Sequence, residues 1–61
     1  MRVLLVEDEA RLSTMLVRGL TAEGCVVVAV ATGVDGLHEA VENTFDVVVL
    51  DIMLPGHSGY E

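Results

Sequence analysis

Lysine is missing from the 61-residue sequence, and cysteine, proline, phenylalanine and tyrosine occur once each. Three arginines stand against ten acids, for a net charge of −7. So acidic a surface argues against this segment gripping nucleic acid by itself. A single cysteine, Cys25, excludes an intramolecular disulfide and fits a reducing compartment. Aromatic residues make up 3% of a chain that is 52% hydrophobic, so its core is aliphatic, built mostly of Val and Leu. No apolar run approaches the roughly 20 residues of a membrane span. Glu7 and Asp8 interrupt the first apolar run too early for a signal-peptide layout. His38 and His57 have no cysteine or histidine partner at zinc-ligand spacing and read as surface residues. No G-x-S-x-G elbow is present, so Ser58 reads as a loop residue and not as a nucleophile.

A chain of 61 residues holds at most one domain. A body that small buries too little apolar surface to be more than marginally stable alone. The expectation is a fragment of a larger domain, or a chain that gains burial from a partner.

What is present is concentrated in one stretch, VVVLDIMLPGHSG, from Val47 to Gly59. Val47 to Leu50 are apolar without alternation, the pattern of a strand covered on both faces. The run ends at Asp51, and Pro55-Gly56 then imposes a turn. Val3 to Val6 form a similar run that ends in Glu7-Asp8-Glu9. Paired as parallel neighbours, the two strands would release Asp8 and Asp51 about 5 Å apart at the backbone. Carboxylates that close repel unless a cation or proton intervenes.

Between these runs the periodicity changes. Residues 9–22 read as a helix with Leu12, Leu16 and Leu20 on one stripe, beside Met15 and Gly19. Met15 reads as core packing. Asp8 or Glu9 stands at the helix start, where the dipole favours anions, and Gly24 suits a left-handed stop. Residues 25–30 read as a second buried strand, with Cys25 as a small core residue. Thr32 suits the cap of a second helix over 33–43, with Val34, Leu37 and Val41 as its inner face. Gly33 and Gly36 weaken that helix, so packing must hold it. The third strand is expected over 45–50. Asp35 and Asp46 read as surface acids.

The order is thus β-α-β-α-β, an α/β layout with a parallel sheet. Right-handed crossovers allow a strand order of 2-1-3 with one helix on each face. The winding then reverses between the first and third strands, and both acids sit at that switch point. Order 1-2-3 would separate Asp8 from Asp51, so the acids favour 2-1-3 if they act together. Together they suit a hard cation such as Mg2+, with Glu7 reaching it through water and the Met53 backbone carbonyl completing the protein share. Asp51 is also the acid best placed to act as a nucleophile toward phosphorus. By spacing alone, strand-terminal acids serve solubility more often than metal binding.

VLLVEDE followed by VVVLDIMLPGHSGYE resembles the receiver domain of bacterial two-component response regulators over the whole chain. The resemblance implies a flavodoxin-like fold. It implies that Asp51 accepts phosphoryl from a phosphohistidine of a sensor histidine kinase. It also implies that Glu7, Asp8, Asp51 and the Met53 carbonyl serve Mg2+. The Leu54-Pro55-Gly56 turn is most similar to members with a winged-helix DNA-binding output domain. Such a protein is a cytoplasmic signalling component and not an enzyme in its own right.

Measured against that family, residues 1–61 correspond to the N-terminal half of a receiver. The fourth and fifth strands, with their switch Ser/Thr and phosphate-binding Lys, are expected beyond it. Without that lysine the 61-residue chain should phosphorylate poorly, and the third strand should have a bare edge open to self-association. The alternatives are a phosphorylation-independent dimerisation or interaction module and a Mg2+-dependent phosphatase with an aspartate nucleophile. The latter typically wants a second aspartate at position 53, where this chain has Met.

Overall fold

The computed structural model describes residues 1–50. The elements are β1 (Arg2–Val6), α1 (Ala10–Ala22), β2 (Val26–Val30), α2 (Gly33–Glu42) and β3 (Val47–Leu50). The sheet is parallel, in the order β2-β1-β3. Order 2-1-3 is therefore correct, and β1 is the central strand. Val3, Leu4 and Leu5, each 1% exposed, are the buried hydrophobic residues among those described. They lie between two strands and under helices, which is why this run carries no polar alternation.

Gly36 of α2 lies against Val6 and Val30. Strand alternation places Leu4 and Val28 on that same face. Ala29, in register with Leu5, lines a cleft with Ala10, Ser13 and Thr14 of α1. One helix thus serves each face of the sheet.

Both helix boundaries follow from local chemistry. At the start of α1 the Glu9 side chain accepts a hydrogen bond from the Leu12 N–H at 2.9 Å. Its end is a Schellman turn. Gly24 takes φ of 91°, its N–H donates to the Thr21 carbonyl at 2.9 Å, and the Cys25 N–H donates to that of Leu20 at 3.0 Å. At the start of α2 the Thr32 hydroxyl accepts from the Asp35 N–H at 3.1 Å.

Several expectations from the sequence need correction. β2 begins at Val26 and β3 at Val47, so Cys25 and Phe45 precede their strands. Val34, Leu37 and Val41 do not form the inner face of α2; they are 79%, 66% and 74% exposed. The helix docks through a glycine, the buried Gly36. At about 100° per residue the apolar stripe then sits roughly 100–160° around the helix from the contact. Met15 is likewise surface-exposed and not core. β3 is not covered on both faces. Neither helix packs substantially on it, and Leu50 is 61% exposed.

Candidate functional site

The carboxyl end of β1 carries Glu7 and Asp8, because the strand stops where its apolar run stops. The Glu7 N–H still donates to the Val30 carbonyl at 3.0 Å, which carries the β1–β2 ladder one residue beyond Val6. Glu7 is consequently held close to the sheet and is only 5% exposed. Its Oε2 accepts a hydrogen bond from the Glu9 N–H at 2.9 Å. The bond gives a partner to one oxygen of a side chain taken out of bulk water. Asp8 is exposed beside it. Both acids line a cleft of about 310 Å³ together with Ala10, Ser13, Thr14 and residues 29–31.

The described register ends one residue short of the third acid. Leu50 pairs with Val6 across the β1–β3 ladder. The residue preceding Asp51 in sequence is therefore the neighbour of the residue preceding Glu7. Asp51 and Met53 themselves lie outside the described residues, as do Pro55, Gly56, His57 and Ser58. Among the described residues no group of three metal-ligating side chains forms. Glu7 and Asp8 supply two hard oxygen donors in one cleft, a set that fits part of a Mg2+ site and is unsuited to softer metals.

His38 is exposed on α2, as the sequence implied, and Cys25 is a free, half-buried thiol. Two features were not evident from the sequence. One is the amide of Glu9 aimed at Glu7. The other is the close seat of Gly36 on Val6, where an added Cβ would stand 2.7 Å from Val6 Cγ2. That contact abuts the end of β1 from which the acids emerge.

The model of the response regulator receiver domain family matches residues 3–61. Among curated proteins, the chain is 47% identical over 60 residues to the transcriptional activator protein IrlR of Burkholderia pseudomallei (strain 1026b), covering 98% of this chain and 26% of that one. It is 41% identical over 61 residues to the transcriptional regulatory protein HprR of Escherichia coli (strain K12), covering 100% of this chain and 27% of that one. It is 45% identical over 60 residues to the transcriptional regulatory protein TcrA of Mycobacterium tuberculosis (strain ATCC 25618 / H37Rv), covering 98% and 24%. The chain thus spans about a quarter of the length of these relatives. No solved structure gives a significant match.

Proposed function

Because the chain belongs to the response regulator receiver domain family, we propose that it is the phosphoacceptor part of a two-component transcriptional regulator, with Asp51 as the acceptor. The observation that carries this reading is the register of Leu50 with Val6, together with the placement of Glu7 and Asp8 in one cleft. In the proposed step a carboxylate oxygen of Asp51 forms a bond to phosphorus as the P–N bond of a sensor kinase's phosphohistidine breaks. The departing imidazole nitrogen keeps the electron pair and takes a proton from water. Glu7, Asp8, Asp51 and the Met53 carbonyl would hold Mg2+, which supplies charge neutralisation at the phosphoryl oxygens.

Residues 1–61 would form the N-terminal half of that receiver, with a phosphate-binding lysine and a switch hydroxyl supplied by later strands. The 61-residue chain on its own would then be a poor acceptor. The relatives' names, a transcriptional activator and a transcriptional regulatory protein, support an output on transcription; in this reading a further, winged-helix domain would carry it on DNA, in the cytoplasm. Among the described residues no helix is long and apolar enough to cross a membrane.

The test is phosphorylation of the intact protein by acetyl phosphate with Mg2+, followed by intact mass. One added phosphoryl group, abolished by Asp51→Asn, supports the reading. An intact protein that stays unmodified, or a variant that is still modified, refutes it.

A second reading has its own observation. β3 pairs with β1 on one side only among the described residues, and Val47, Val48 and Leu50 are exposed along it. Strand-edge pairing between copies would make the domain a phosphorylation-independent interaction module. Concentration-dependent mass in sedimentation, unchanged by Asp51→Asn, would favour it. A monomer at all concentrations would remove it.

A further inference from the structure

Glu9 joins the acid cluster to α1 by two hydrogen bonds, made through two different atoms. Its main-chain N–H donates to Glu7 Oε2, and its side-chain Oε1 accepts from the Leu12 N–H, both at 2.9 Å. The second bond fixes the backbone of the first. A capping residue needs extended φ and ψ, and Glu9 has −93° and 111°. In that conformation its N–H, which has no place in the helix ladder, is free to meet Glu7. The start of α1 and the side chain of Glu7 are thereby linked through Glu9.

Glu7 is nearly buried, and its direction of approach to the cleft depends on what grips its oxygens. We propose that Glu9 is a positioning residue for the cation site, acting through Glu7 by means of its helix cap and not through its own charge. This rests on the Mg2+ reading given above. Partners that orient a ligating carboxylate typically change metal affinity by about 10–100-fold when lost. Here the amide itself remains after substitution and only its orientation loosens, so the lower end applies.

The charge and the cap can be separated by substitution. Glu9→Ala removes both, whereas Glu9→Ser removes the charge and restores a strong cap. Mg2+ affinity of the intact protein would be measured by calorimetric titration, at a temperature where circular dichroism shows each variant fully folded. The expected result is about tenfold weaker binding for Glu9→Ala and near wild-type binding for Glu9→Ser. Equal weakening in both variants would assign the effect to charge and overturn the proposal. So would an Ala variant that binds like wild type. If the wild-type protein binds no Mg2+ at all, the cation reading itself fails and the proposal falls with it. A wild type that binds while the variants misbehave removes only the role of Glu9.

Discussion

Arg2 and Asp46 exchange two hydrogen bonds across the start of the β1–β3 pair. The Arg2 N–H donates to Asp46 Oδ2 at 2.7 Å, and the Asp46 N–H donates to the Arg2 carbonyl at 2.8 Å. The arginine side chain reinforces the same corner. Its Nε donates to the Thr44 carbonyl at 2.9 Å, and its guanidinium lies 5.3 Å from the centre of the Phe45 ring. Asp46 is exposed, yet it sets where β3 joins the sheet, and so the register that brings Leu50 beside Val6.

Asp46→Ala should therefore destabilise the intact protein by about 1 kcal/mol, the usual worth of one hydrogen bond in a solvated setting. Asp46→Asn keeps an acceptor oxygen and should lose less than half of that. Urea unfolding monitored by circular dichroism measures both. Equal stability of wild type and Asp46→Ala would mean that the corner contributes nothing to the pairing.

Gly36→Ala sets two effects against each other. Alanine is the better helix former by about 1 kcal/mol. The added methyl, however, would meet Val6 Cγ2 at 2.7 Å, and valine is too stiff to swing away. Overpacking of this kind costs about 1–3 kcal/mol, so the net change should be destabilising by up to about 2 kcal/mol. Val6→Ala in the same chain should relieve the clash. The double-mutant cycle should then give a coupling of at least about 0.5 kcal/mol in the relieving direction. Purely additive losses would show that α2 does not sit on Val6.

Gly24 and Gly19 offer a cleaner contrast. A Cβ at either position would meet nothing within 4 Å, so crowding plays no part. Gly24 holds φ of 91°, and alanine there should cost roughly 1–2 kcal/mol. Gly19 lies within α1, where alanine should stabilise by about 1 kcal/mol. Thermal unfolding of the two variants should move in opposite directions. A shift of the same sign in both would contradict the left-handed turn after α1.

Much of this arrangement was legible in the sequence because local chemistry dictates it. Thr32 and Gly24 mark helix ends through interactions with their immediate neighbours, and the structure has both as expected. The order of strands followed from a functional premise, that Asp8 and Asp51 act together, and not from periodicity. The inner face of α2 was misread because a stripe of Val34, Leu37 and Val41 identifies an apolar side without identifying what meets it. Close docking through Gly36 is invisible to hydropathy, since glycine carries no apolar signal. The role of Asp46 was missed for a different reason: its partner lies 44 residues away, at Arg2. For the acids, sequence spacing placed Glu7 and Asp8 at the end of β1 correctly, but the amide that holds Glu7 depends on the backbone angles of Glu9.

The position of β1 has a consequence for biosynthesis. Of the three strands the middle one is made first, and its third-strand partner is made 44 residues later, as the Arg2–Asp46 separation records. At ordinary translation speeds of about 5–20 residues per second, that delay is about 2–9 s. During it the side of β1 that β3 will occupy has no partner strand from its own chain, so any other strand edge can compete for Val3, Leu4 and Leu5.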